Sequence, residues 1–275
     1  MTTLIAWVAF TDTGERPELA RAVYVASDSR ITWESSGHRW DAGRKLFSPH
    51  EQPHLFGYCG DVVFPSLVLG QIISAIDQGI LFDPSDSADR KHQVILESIM
   101  ASHDCPHDVG EQDFSILHVV RRSAWPATAF SGWVIRYRAK TRDWSSEVLP
   151  FPTKTGLLIA LGSGAGMAKA HTRRWNESDV GGLSRAIFSA FCETISASKN
   201  KLSGGPPQLS GLYGEGPPKT FGVIQNGSPF FHGLPLKREM ALSNIEWRDE
   251  LFQTIDPISL SAAKGARRFA RPHFD

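Results

Sequence analysis

The sequence predicts an α+β layered domain, with strands and helices in groups rather than in strict βαβ alternation. Three observations carry this. The opening third is dominated by β-branched and aromatic runs, TLIAWVAF and RAVYVASDS among them. Apolar residues then recur at helical spacing over 64–80 and 87–102. Strands return at 114–151, before a second pair of helical segments and a closing hairpin.

Taken in order, TLIAWVAF and RAVYVASDS read as the two long strands of a hairpin, with the turn-formers TDTGERPEL at 11–19 between them. A second pair follows, around Arg44–Phe47 and then HLFGYCG, joined by a Pro/His loop at 48–54. Leu67, Val68, Ile72, Ile73, Ile76 and Ile80 define an amphipathic helix over 64–80. Val94, Ile95, Ile99 and Met100 mark one face of the next, over 87–102. FSILHVV, AFSGWVIRY and WSSEVLPF are strands, and LLIAL is a short buried strand running into GSGAGMAKA and a helix to about Trp175. A further helix spans 180–198, with Asp179 as its N-cap. Five Gly and four Pro make 201–218 the clearest loop. FGVIQ, Asn226-Gly227 and SPFFHG form a hairpin, because Asn-Gly suits a type I′ turn. A short helix is expected near 243–252, and KGARRFARPHFD is a basic tail, mobile or docking. No repeat or linker divides the chain, so 1–235 reads as one domain and 236–275 as a C-terminal extension.

The 275 residues are 41% hydrophobic and 21% charged, enough for a sizeable core. Lys+Arg and Asp+Glu both number 29, a balance that argues against a nucleic-acid or anionic-membrane partner and permits close packing of copies. Cys59, Cys105 and Cys192 are too few and scattered for a disulfide framework, which points to a reducing compartment. The start MTTLIAWVAF lacks a basic region and meets Asp12 and Glu15 early, so it reads as a strand of a cytoplasmic protein.

An N-terminal threonine exposed by removal of Met1 would hold nucleophile and base in one residue. Its α-amine, with a pKa near ~8, can take the proton of its own Oγ. A nearby cation keeps that amine neutral, and a carboxylate holds the cation in place. TTLIAW followed by YVASDSRIT resembles the opening of proteasome β-type subunits, N-terminal-nucleophile hydrolases. GRKLF resembles the family's lysine-bearing segment, and HLFGYCGD its glycine-containing strand end. LLIALGSGAGMAKA is similar to the strand, Gly-Ser-Gly turn and helix start, especially of bacterial members. LSGG at 202–205 and FGVIQNGSPFFHG resemble the Ser-Gly-Gly loop and final hairpin. The ordered set spans 1–233.

The resemblance implies a four-layer αββα sandwich of the Ntn-hydrolase type, a threonine peptidase acting on peptides or unfolded proteins, and ring-forming homo-oligomers; it admits an ATP-dependent unfoldase as partner. It implies no cofactor. Residue by residue, Thr2 resembles the nucleophile and base, Asp28 the carboxylate, Lys45 the ammonium, Ser163 the turn hydroxyl facing the amine, and Ser203 the loop serine. Gly60 is the candidate oxyanion N–H, with Tyr58 and Val63 beside an apolar substrate pocket. Asn200 stands where the family has an aspartate, which would weaken amine activation. Two other readings stay open: a catalytically silent scaffold or adaptor subunit, and a small-molecule amidohydrolase.

Other motifs carry less. His50-Glu51-Gln52-Pro53-His54 matches a zinc-protease pattern in letters, but Pro53 forbids the continuous helix that pattern needs. His103, Cys105 and His107 lack a fourth ligand and read as a turn. GSGAG lacks the further glycine or Gly-Lys-Ser/Thr of a phosphate cradle. No metal site is expected.

Overall fold

The first strand, β1 (Leu4–Ala9), is buried almost throughout, so it needs apolar cover on both faces. The computed structural model describes residues 2–10, 19–33, 37–106, 112–197, 203–240, 244–272 and 274. After β1 come β2 (Ala22–Ser27), the short pair β3 (Ile31–Trp33) and β4 (His38–Trp40), then β5 (Leu46–Phe47) and β6 (His54–Gly60). Two helices follow, α1 (Val63–Asp77) and α2 (Ala88–His103), then β7 (Phe114–Ser123), β8 (Ala129–Arg138), β9 (Asp143–Val148) and β10 (Gly156–Leu161). Helices α3 (Ala165–Asn176) and α4 (Ser184–Ser196) precede β11 (Gln208–Tyr213), β12 (Lys219–Gln225), β13 (Ser228–Phe231), β14 (Leu234–Pro235) and β15 (Trp247–Asp249).

These strands build two main sheets. One has the order β10-β1-β2-β11-β12-β13-β14, with β15 added parallel to β12; the other is the antiparallel run β5-β6-β7-β8-β9. Strand alternation decides what meets what. Leu4, Ala6 and Val8 join Val23 and Val25 in a cluster with Leu55, Leu117, Val119 and Val134 of the second sheet. Ile5 and Trp7 turn the other way, onto Ala168 of α3 and Ile187, Phe188 and Phe191 of α4. On the second sheet Phe56, Tyr58, Ile116, Ile135 and Tyr137 pack with Val68, Leu69, Ile72 and Ile76 of α1 and Ile95 and Ile99 of α2. No helix among the described residues is long and apolar enough to cross a membrane.

Local signals explain most boundaries. Asp61 accepts from the N–H groups of Val62, Val63 and Phe64 and so starts α1, and Ser87 caps α2 through Arg90 N. Asn226 and Gly227 have φ of 48° and 73°, as a type I′ turn requires. Three expectations fail. The Gly/Pro-rich stretch 201–218 contains β11, which pairs with both β2 and β12. Its Gly211, which weakens the strand signal, is there because the Tyr24 ring lies where a Cβ would go. The segment near 243–252 forms β15 rather than a helix, with Trp247 seated on Gly222 across the ladder. Helix α4 starts at Ser184 after Leu183, without a side-chain cap, so Asp179 is not its N-cap.

The 236–275 segment is therefore built into the first sheet through β15. Its tail docks on the chain's own helices, where Phe274 packs against Trp175 at 5.1 Å between ring centroids. LLIAL is less buried than expected, with only its last two residues fully covered.

Between α2 and the second sheet three imidazoles lie in single file. His54 Nδ1 is 2.9 Å from His118 Nε2, His118 Nδ1 is 3.0 Å from His92 Nδ1, and His92 Nε2 is 2.8 Å from Ser146 Oγ. Burial pushes His54 down to about 3, with Lys91 adding to the effect. Burial also pushes His92 down to about 4 against an opposing Asp89, and holds His118 well below its ordinary value. Depressed histidine values mean stability that is present above the unfolded value of about 6.5 and lost as pH falls toward the folded values. We expect the melting temperature to drop between pH 6.5 and 4, and His118→Leu to make that drop shallower. An unchanged slope in the variant would remove the cluster as its cause.

Candidate active site

Sheet register brings the site together. β1 and β2 run antiparallel with Leu4 opposite Ser27, so the residues just beyond them, Thr3 and Asp28, are neighbours. Asp28 N donates to Thr3 O at 3.2 Å, and Thr3 N donates back to Asp28 Oδ1 at 3.0 Å. On the other side of β1, Leu4 lies opposite Leu161 of β10, which delivers the Gly162-Ser163-Gly164 turn beside Thr2. Gly164 N donates to Thr2 O at 3.4 Å. Gly162 has φ 83°, and a Cβ there would run into the Thr2 carbonyl, so the approach requires glycine.

Lys45 arrives from the second sheet. It precedes β5, and its Nζ lies 2.9 Å from Asp28 Oδ1 and donates to Arg30 O at 2.6 Å. Both side chains of the pair are fully buried. Burial pulls the Lys45 ammonium below its ordinary value, and Asp28 holds back part of that shift. Asp28 Oδ1 thus joins the Thr3 N–H and the Lys45 ammonium. Oδ2 accepts from Arg30 N at 3.2 Å and Gly204 N at 3.0 Å.

The remaining expected residues fall in different places. Ser203 is fully buried, and its hydroxyl makes a short hydrogen bond with Thr3 Oγ1. Gly60 ends β6 with φ 99°, and a Cβ there would meet the Asp113 carbonyl. Gly60, Cys59, Gly162 and the exposed Ser163 share the wall of a cavity of about 400 Å³. Its other lining residues include Gln112, Asp113, Ser115 and Arg138, so this wall is largely polar. Tyr58 is turned away from it, fully buried against α1, with its hydroxyl donating to Arg44 O at 3.2 Å. Val63 is half-exposed at the start of α1. Asn200 lies outside the described residues. Cys59 is pushed up to about 11 by burial, so it stays a thiol at neutral pH and is no competing nucleophile.

Three further residues support the site, and one of them, Gln208, escapes the sequence reading. Arg30 forms a two-pronged ion pair with Asp41 at 2.7 and 2.8 Å, bracing the segment between Asp28 and Lys45. The Arg30 guanidinium also lies where a Gly204 side chain would go, so that glycine permits the loop's close approach. Gln208, buried at 1% exposure, reaches under the pair from β11. Asp-Ser-Arg was visible as a motif, but Gln208 had no signal once its strand read as a loop.

The described residues contain no group of three or more His, Cys, Asp or Glu side chains arranged to hold a metal ion. His54 starts a strand and not a helix, and its Nδ1 is engaged with His118. His103 is buried against Phe64, Tyr137 and Trp144, whereas Cys105 is exposed; His107 lies outside the described residues.

By sequence the chain matches no protein-family model and no curated protein. By structure it is similar to eukaryotic HslV from Trypanosoma brucei, at 14% identity and a TM-score of 0.46, over 76% of this chain and 99% of that one. It is also similar to a Gly-1 mutant of Anbu from Hyphomicrobium sp. strain MC1, at 12% identity and a TM-score of 0.48, over 80% and 87% of the two chains.

Asp28 has three backbone N–H donors besides Lys45, whereas Asp28 is the only carboxylate on Lys45 among the described residues. Removing the anion should therefore cost more than removing the cation. We expect Asp28→Asn to lose about 3–5 kcal/mol and Lys45→Met distinctly less, read from urea unfolding. The reverse order would contradict this account of how the carboxylate is solvated.

Proposed function

We propose that the chain is a threonine-type N-terminal-nucleophile hydrolase that cleaves peptide bonds through an acyl-enzyme on Thr2. The observation that carries the reading is the buried Asp28 carboxylate, which joins Lys45 Nζ at 2.9 Å to the backbone of the residue after Thr2 at 3.0 Å. Lys45 uses two of its three N–H groups, on Asp28 and on Arg30 O.

The chemistry begins with removal of Met1. The freed α-amine, kept neutral by the nearby ammonium, takes the proton of Thr2 Oγ as that oxygen attacks the substrate carbonyl carbon. Gly60 N–H is the proposed donor to the developing oxyanion. The amine then gives its proton to the leaving nitrogen, the C–N bond breaks, and the acyl group remains as an ester on Oγ. Water attacks that ester, the amine accepts the water's proton and returns it to Oγ as the acyl C–Oγ bond breaks, and the carboxylic acid product leaves. Ser163 and Ser203 are the hydroxyls proposed to orient the amine, and Asn200 stands three residues before Ser203 in the sequence.

The same reading gives the helix pairs and two sheets a four-layer αββα order and takes the chain to be a ring-forming homo-oligomer in the cytoplasm. Its substrate is a peptide or unfolded protein delivered with or without an ATP-dependent unfoldase. The polar wall around Gly60 and Gly162 favours polar substrate groups there.

Intact mass and a peptide epoxyketone test the mechanism together. We expect the mature chain to lack Met1, the probe to add once at Thr2, and Thr2→Ala to abolish addition. A mature chain that retains Met1 would falsify the mechanism. One that lacks Met1 yet resists the probe would instead fit a silent scaffold.

A further inference from the structure

We propose that Gln208 is the residue that positions the Asp28–Lys45 pair, by holding both partners through their backbones. Its catalytic consequence rests on the Thr2 reading above.

The amide is fully engaged. Gln208 Oε1 accepts from Lys45 N at 3.0 Å. Its Nε2 lies 2.8 Å from Gly43 O, 2.9 Å from Ser29 Oγ and 3.2 Å from Asp28 O. Lys45 N–H only donates and the two carbonyls only accept, so the amide orientation is determined by its partners. Ser29 Oγ donates to Pro206 O at 2.7 Å, which leaves it an acceptor toward Gln208. A site that demands one acceptor and two donors in this arrangement suits neither Glu, which would set an anion against two carbonyls, nor Lys, which cannot accept. The register supplies the position: Gln208 pairs with Ser27, one residue before Asp28.

Side-chain contacts hold Asp28 and Lys45 to each other, but nothing in that ion pair fixes where the two lie relative to Thr2. The Thr3 backbone bonds set Asp28 beside Thr2, and Gln208 sets Lys45 against Asp28 by tying the end of β2, the 43–45 segment and β11 to one rigid planar group. Displacement of a reacting constellation by about 1 Å costs on the order of 10²-fold in rate.

The test measures epoxyketone inactivation against pH for the full chain and for Gln208→Met, Gln208→Glu and Ser29→Ala. A carbon-13 NMR titration of lysine-Cε-labelled protein reads Lys45 in parallel. We expect Gln208→Met to react about 10²-fold more slowly at neutral pH. Its midpoint should move to higher pH, because a drifting ammonium no longer disfavours protonation of the amine. Gln208→Glu should behave similarly, and Ser29→Ala should show a smaller change in the same direction. The Lys45 signal should shift in each folded variant. A folded Gln208→Met with wild-type rate, midpoint and Lys45 signal would overturn the proposal. If Gln208→Met does not fold, an unchanged midpoint in Ser29→Ala overturns it. If the wild-type chain itself is not labelled at Thr2, the nucleophile reading fails alone. The Lys45 signal then decides the positioning role, a shift supporting it and none overturning it.

Discussion

The buried contact between Lys45 and Asp28 is where the two sheets become one site. Lys45 belongs to the strand system of β5 and β6, whereas Asp28 follows β2 in the other sheet. Desolvating two charges costs several kcal/mol per ion, so such a pair persists only where the remaining polar atoms are met. Here they are met: the carboxylate accepts four donors, and the ammonium adds the Arg30 carbonyl to its anion. Every nearby feature serves that accounting. Gly204 presents its N–H because it can approach Arg30, and Arg30 stays in place because Asp41 clamps it.

Close backbone approach is the second constraint. Thr2 and Thr3 are enclosed by turns rather than by large side chains. A Cβ at Gly162 would strike the Thr2 carbonyl, and one at Gly164 would strike Thr3 Oγ1. The strands on either side of β1 end at the same level, so the turn after β10 and the acid after β2 reach the first residues from opposite sides. The geometry around Thr2 is thus a product of register, which is why a one-residue slip in either ladder would dissolve it.

Much of this fold is legible in the sequence. The hairpin of β1 and β2, both helix pairs and the Asn226-Gly227 turn follow from periodicity and turn chemistry, which act locally. The contact of Asp28 with Lys45 joins two residues that the sequence offered only through their resemblance to family motifs, in YVASDSRIT and GRKLF. What stayed hidden depends on contacts across the fold. β11 lies among Gly and Pro because Gly211 makes room for Tyr24, a reason no window of sequence contains. β15 looked helical because three strand residues give too little pattern to read. Gln208 was hidden with β11. The expected apolar pocket at Tyr58 is not formed there, since its ring packs with α1, while Cys59 on the opposite face and Gly60, turned at the strand end with φ 99°, line the cavity.

The pair itself argues for chemistry over architecture. A buried ion pair is an inefficient way to join two sheets, because apolar residues of similar volume often serve as well or better. This chain has such residues on both sides of the same interface, Leu4 and Leu46 among them, and they are fully buried. Charge at this position is therefore not needed for cohesion. It also comes with costs that cohesion would not impose: glycines at close approaches, a buried amide dedicated to two backbones, and an ammonium shifted from its ordinary value by burial. Groups held at such cost beside an exposed cavity wall are candidates for catalysis on physical grounds. The backbone they hold is that of Thr3, next to the residue whose carbonyl the Gly-Ser-Gly turn touches, Thr2.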